Sequence, residues 1–430
     1  MSVRLLPGRT TKWNEHGAAE PRVLTRLRRG SVISINARLA LMLLGALMVR
    51  LIAMVGSGHE GDITALARWA ESVTARGLGG YYEAGGDSNY PAVLYLLWPL
   101  GVLFDRPELF AAVRAISIPF DLLMGMMLFV AGRSLTSPRG GLLAAALYLF
   151  NPATVLAGAV WGQLDAVGTA AVVGSLMVVA SGRYVTAGML SVLAVLVKPQ
   201  FAIAGAVILG LLVLRREGGG RASAFALAAV GGVAAYLAVT VPLGLAPAQL
   251  FAVVGDSAAR MSFASLHGFN AWGLIFGFET SDGLWVYLGL ALLAAGVVGA
   301  LSLLHLRQDL AGILAVAFLI ALAVYFLPTR VHERYLFPAI ALLAPLVALR
   351  PTLLRPFVAL SGVFSLSLLY VLIRGRRSGA IDVPLRVERL LDWPGVPLIA
   401  LALMAAALWC ALEVWRVFRE QEVERTAPSR

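Results

Sequence analysis

The sequence predicts an all-α, polytopic membrane protein of about twelve transmembrane helices, with interfacial helices in its first external loop. Three observations carry this. Of 430 residues, 59% are hydrophobic and 14% charged, against roughly 45–50% and about 25% in soluble domains. Several apolar runs approach or exceed the ~17–25 residues that cross a bilayer. The basic residues behind the net charge of +11 sit mostly in tails and short loops, where they orient spans and meet anionic headgroups. Membrane lipids are therefore expected partners and nucleic acid is not, since no basic, aromatic-interleaved patch stands on a soluble module. The single cysteine, Cys410, excludes a disulfide framework and a Cys-based metal site.

Residues 1–36 read as a basic cytoplasmic tail (Arg4, Arg9, Lys12, Arg22, Arg26, Arg28, Arg29). No cleavable signal peptide is evident, and the first span, 37–56, is expected to act as an uncleaved anchor leading outward. Residues 57–108 form an external loop. In it Asp62 opens an amphipathic helix whose Ile63, Leu66, Ala67, Ala70 and Val73 share one face, and glycines of "LGGYYEAGGDSNYP" break it. The run 91–104 is apolar but short and interrupted by Pro99, so it is read as interfacial. If it does not cross, "GRSLTSPRG" (132–140), "RREGGGR" (215–221), Arg307, Arg350 and Arg355 all lie inside, as the positive-inside rule prefers. Further spans are expected near 109–131, 141–158, 164–181, 184–197, 201–214, 222–243, 283–303, 310–327, 335–349, 357–373 and 395–416, with a cytoplasmic tail at 417–430. The membrane domain thus covers 37–416. The Arg-rich loop 374–393 falls outside under this parity and disagrees with it.

Under this topology the polar residues collect at the external face. The outer loops are "GHEGDITALARW" (58–69), "GGDSNYP" (85–91), "WGQLD" (161–165), "KPQ" (198–200), "SLHGFNAWGL" (265–274) and "RVHERYLFP" (330–338). Ionisable groups near membrane depth are costly and mark function. Asp62 is either a helix N-cap or a general base for an acceptor hydroxyl; Glu60 is its local competitor and His59 a polar neighbour. Asp165 is either a solvated helix start or part of a site. Lys198, flanked by Pro and Gln between two apolar helices, either snorkels to lipid phosphate or meets a substrate phosphate. Arg330 and Arg334 can clamp a phosphate beside His332, while Glu333–Arg334 can equally be a structural latch. Tyr90, Trp161, Gln163, Asp165, Gln200, Asn270 and Glu333 are candidates for sugar or acceptor contacts. Arg114 and Asp121, seven apart in one span, are expected to form an intramembrane ion pair. His332–Glu333 is no zinc motif, because HExxH is absent.

The order of these elements resembles a known family. An Asp just after the first span, "NYP" (89–91), a "GQxD"-like loop, a Lys turn at "KPQ" and "VHERYLFP" together resemble the GT-C glycosyltransferases that use polyprenyl-phosphate-linked sugars. The similarity is to the prokaryotic Gpi18-like mannosyltransferase group and, more distantly, to the Alg6/Alg8 glucosyltransferases, over about residues 45–345. "NYPA" lacks a second Pro, and the stretch after Leu349 has no counterpart. The resemblance implies a GT-C-type fold in the cell membrane and an outward-facing cavity. It also implies a polyprenyl-phosphate hexose donor (mannose or glucose), inversion at the anomeric carbon, and Asp62 as base.

The residues are consistent with that chemistry. A carboxylate deprotonates the acceptor as it attacks the anomeric carbon, and Lys198, Arg330 and Arg334 stabilise a lipid monophosphate leaving group. No metal cofactor is expected, since clustered DxD-type acids are missing. The acceptor is a glycan, lipid or protein. The competing reading is a multi-spanning transporter or flippase of a lipid-linked or polar solute. A third is a non-catalytic membrane scaffold. Both predict no sugar transfer.

Overall fold

The computed structural model describes residues 34–56, 58–214, 220–374 and 384–426. The basic tail before Ser34, residues 215–219 of the arginine-rich loop expected inside and residues 375–383 of the discordant loop expected outside lie outside the described residues. Among the described residues there is no strand, only isolated bridges that join the 263–267 segment to Ser281 and His332.

Chain order is α1 (Ile35–Ala53), α2 (Glu60–Glu83), α3 (Pro91–Leu103), α4 (Glu108–Ala115), α5 (Ser117–Leu135), α6 (Pro138–Leu149) and α7 (Pro152–Val155). A π-turn (Leu156–Trp161) leads on to α8 (Asp165–Ala180), α9 (Tyr184–Val197), α10 (Ile203–Leu214), α11 (Arg221–Thr240), α12 (Pro247–Arg260) and α13 (Ala271–Phe276). The chain continues through α14 (Trp285–Ser302), α15 (Leu310–Phe326), α16 (Phe337–Leu349), α17 (Leu354–Arg374), α18 (Leu385–Leu390) and α19 (Val396–Thr426). Among the described residues, six helical stretches are long and apolar enough to cross a membrane: α1, α4–α5, α11, and those containing α14, α17 and α19. The protein is a multi-pass membrane protein.

The other expected spans take different forms. The one at 141–158 is a pair, α6 and α7 with its π-turn, bent by 49°. The bend has a local cause: the Asn151 side chain caps the new helix, and Pro152 occupies its first position. α8, α9, α10, α15 and α16 are apolar helices of 12 to 17 residues, shorter than the ~30 Å hydrocarbon core at about 1.5 Å per residue. α3, 13 residues long, is also too short to cross unaided.

α15 and α16 are apolar on all sides and almost wholly buried, which places them at the centre of the bundle. α1, α11 and α14 instead turn Leu41, Val230 and Val298 outward, as lipid-facing helices do. α9 and α11 meet through small residues. A Cβ on Gly188 would lie 1.9 Å from the Ala228 carbonyl oxygen, and one on Gly231 1.9 Å from that of Val185, so the backbones touch where no larger residue fits.

The expected Arg114–Asp121 pair does not form. Side chains three or four apart meet on a helix, but seven residues separate them by about two turns. Asp121 pairs instead with Arg50 of α1 at 2.9 Å and accepts a 2.6 Å hydrogen bond from the Tyr148 hydroxyl. Arg50 also donates to the Leu149 carbonyl at 2.9 Å, so one buried cluster ties α1 to α5 and α6. Arg114 donates to the carbonyls of Met54, Gly56, Ala159 and Val160 and fastens the chain before α2 to the π-turn. In the 374–393 loop, Arg374 pairs with Asp392 at 2.9 Å.

Candidate active site

Six chain segments converge on a cavity of about 230 Å³: the start of α2, the loop ahead of α3, the turn after Trp161, the end of α9, the end of α12 and the stretch before α16. Asp62, Tyr90, Gln163, Lys198, His332 and Arg334 line it. Trp161, Asp165 and Glu333 stand behind these and hold them.

α2 begins at Glu60, two residues earlier than its pattern predicts. His59 is its N-cap, with Nδ1 accepting the Asp62 N–H at 3.3 Å, so Asp62 is not a cap and its carboxylate is free for other partners. The helical turn of about 100° per residue puts Glu60 some 200° around from Asp62. Glu60 is accordingly exposed and does not line the cavity. The kink in α2 falls at Gly77, one residue before the glycine-rich stretch expected to break it, and helical structure continues through Gly79 and Gly80 to Glu83.

Asp62 is held through one oxygen. Its Oδ2 accepts the Trp161 indole N–H at 2.7 Å and the Gln163 amide N–H at 2.6 Å. The His59 ring lies 3.2 Å from the same atom and Arg334 4.0 Å from it. Among the described residues, no hydrogen bond is made to Oδ1, and the side chain is 31% exposed. Burial raises its pKa, but the charges of Arg334 and His59, the indole hydrogen bond and Lys198 more than reverse this and draw it down to about 2. Asp62 is a fixed anion with one anchored oxygen and one free.

The loop Trp161–Asp165 can present these groups because Gly162 adopts φ +92°. A Cβ there would stand 2.9 Å from Arg114 Cγ, so glycine is required on both counts. The preceding Trp161 is stacked on His59 at 4.8 Å. The following Gln163 donates to Asp62 and accepts from Lys198 Nζ at 3.0 Å. Lys198 also bonds Asp165 at 3.0 Å, each side chain 2% exposed, which replaces the solvated Asp165 and the snorkelling Lys198 with a buried ion pair. Lys198 lies 5.7 Å from the Tyr90 ring centroid.

Arg334 bonds Glu333 and lies 5.6 Å over the Trp161 ring; the latch between these neighbours is present. Its Nε stands 3.8 Å from Asp165 Oδ2, and both atoms are buried without a hydrogen-bond partner among the described residues. Burial lowers the His332 pKa, as does Arg334, to about 4, so this imidazole is neutral at pH 7.

Three expected contributors stand elsewhere. Arg330 bonds both carboxylate oxygens of Asp282, at 2.7 and 3.3 Å, and the Ala258 carbonyl at 3.1 Å; it does not join Arg334 in a clamp. Asn270 is buried, capping α13 through the Gly273 N–H and donating to the Tyr325 carbonyl. Gln200 lies on the turn after Lys198, outside the cavity lining. The sequence reading also missed Trp69, Asp87, Asn89, Ser257 and Arg260, which complete the wall. α12, which brings the last two, lies in a loop where no motif stood out; its amphipathic pattern was the available signal. Among the described residues, no three His, Cys, Asp or Glu side chains are grouped to hold a metal ion.

No protein-family model and no curated protein matches the chain. Solved structures of the Archaeoglobus fulgidus oligosaccharyltransferase are similar at a coarse level. The form tethered to an acceptor peptide containing the NVT sequon is 17% identical with a TM-score of 0.46, covering 87% of this chain and 55% of that one. The AglB complex with an inhibitory peptide and a dolichol-phosphate gives 16%, 0.43, 87% and 55%, and the apo form 16%, 0.47, 89% and 56%. The chain spans little more than half the length of these structures.

Proposed function

We propose that this protein is an inverting membrane glycosyltransferase of GT-C type. In this reading it moves a hexose from a polyprenyl-phosphate donor to an acceptor hydroxyl at the external face, with Asp62 as general base. The observation that carries the reading is the arrangement of Asp62: an ionised carboxylate with Oδ2 fixed by Trp161 and Gln163, no hydrogen bond on Oδ1 among the described residues, and a place in the wall of a cavity shared with Lys198 and Arg334.

The step balances within this site. The acceptor oxygen attacks the anomeric carbon, and its proton passes to Asp62 Oδ1. The bond from that carbon to the phosphate oxygen breaks, its electron pair leaving on the phosphate. A carboxylate of pKa near 2 is a weak base toward a resting hydroxyl. It takes the proton late, when attack has made that hydroxyl acidic. Lys198 uses two of its three donors on Gln163 and Asp165 and keeps one for a phosphate oxygen.

The test is to incubate the purified protein with a panel of polyprenyl-phosphate hexoses and simple acceptors, and to measure release of polyprenyl phosphate. Acceptor-dependent release from at least one donor is expected. Absence of release across the panel, with lipid-linked solute moved across vesicles instead, would establish the transporter reading.

A further inference from the structure

We infer that Arg260, at the C-terminal end of α12, supplies the net positive charge that holds the ligand's phosphate in this cavity, and that Arg330 positions it. The inference rests on the proposed use of a phosphate-bearing lipid, but it is argued from charge alone.

The two buried cations of the site are already committed. Lys198 is paired with Asp165 at 3.0 Å, and Arg334 bonds Glu333 and faces Asp62. Three carboxylates thus surround two cations. Apart from the imidazoles, and with Asp87 matched by Arg68 at 3.0 Å, the inner site carries one net negative charge. A phosphate entering it meets repulsion unless another cation lies within reach. Arg260 lines the same cavity and, among the described residues, forms no ion pair. It is the group whose charge is uncommitted.

Its placement is built rather than incidental. Asn89 donates to Ser257 Oγ at 2.9 Å, which ties the last turn of α12 to the loop ahead of α3. From the other side Arg330 donates to the Ala258 carbonyl at 3.1 Å while Asp282 grips its guanidinium. Arg330, which sequence alone assigns to the phosphate, therefore sets the position of the helix end from which Arg260 reaches the cavity. Two arginines near the C-terminal end of α12 also suit the negative pole of the helix.

The experiment measures binding of a short-chain polyprenyl phosphate, and of the uncharged polyprenol, to the detergent-solubilised full chain through its intrinsic tryptophan fluorescence. Wild type is expected to prefer the phosphate. R260A should weaken phosphate binding by roughly 10- to 100-fold, the range of one charge-assisted hydrogen bond, with polyprenol binding unchanged and R260K largely restored. R330A should weaken the phosphate less, and added salt should reduce the difference between wild type and R260A. Phosphate binding by R260A equal to wild type overturns the inference and leaves glycosyl transfer standing. Arg260-dependent phosphate binding in a protein that transfers no sugar supports the inference and removes the transferase. No phosphate preference in wild type overturns both.

Discussion

Asp62 and Trp161 are joined twice. The indole N–H donates to Asp62 Oδ2 at 2.7 Å, and the indole stacks at 4.8 Å on His59, the residue that caps the helix carrying Asp62. The aromatic ring thus fixes both the carboxylate and the backbone turn beneath it. W161F keeps the stack and loses the N–H, so Asp62 should retain its place but gain freedom at Oδ2. The expected result is a fall in kcat of roughly 10- to 100-fold, as for loss of a positioning hydrogen bond, with donor KM nearly unchanged.

The charge of Arg334 governs how Asp62 titrates. A pKa held down to about 2 means that Asp62 stays ionised through the usual range, so it sets no acidic limb on kcat/KM between pH 7 and 4. Since this folded value lies below the ordinary 3.8, the stabilisation it brings is present above about pH 4 and lost as pH falls through 2. Replacing Arg334 by Gln leaves burial to act with less opposition. The Asp62 pKa should then rise, and an acidic limb should appear at a higher pH than in wild type, read from a kcat/KM profile.

The buried Lys198–Asp165 pair predicts a stability cycle. Removing one partner strands a charge and costs about 3–5 kcal/mol, whereas removing both is milder. D165N and K198M should each lower the melting temperature in detergent by more than the double variant does per site, and a double-mutant cycle reads the coupling directly.

Arg50 and Asp121 predict the opposite division of effects. Their cluster, tied to Tyr148, lies in the spans and lines none of the cavity wall. D121N should destabilise the protein by about 3 kcal/mol while leaving the donor KM of the folded fraction unchanged, measured by thermal unfolding alongside transfer.

These residues also show what the sequence could and could not disclose. Asp62, Lys198 and Arg334 were legible because a lone ionisable group beside apolar runs has few reasons to be there. Their partners were less so. Asp165 stayed open between a solvated helix start and a site residue because its cation, Lys198, is 33 residues away. Arg330 looked like a phosphate ligand because Asp282 is 48 residues away. Arg50 passed unnoticed inside the first span, although it claims the Asp121 that local spacing had given to Arg114. The helical, membrane-spanning character followed from composition, but the break at Asn151–Pro152, which brings Trp161 and Gln163 to the site, is set by a turn geometry that hydropathy averages away. Long-range pairing decides which polar groups are spoken for, and spacing along one helix does not report it.

The central claim is that Asp62 takes the acceptor's proton. The most direct measurement compares wild type with D62N, an isosteric change that retains hydrogen-bonding capacity toward Trp161 or Gln163, for acceptor-dependent release of polyprenyl phosphate from a bound polyprenyl-phosphate hexose. Release by D62N should fall by at least about 100-fold with donor binding and melting temperature close to wild type. A D62N protein that binds donor and releases polyprenyl phosphate at the wild-type rate would contradict the account.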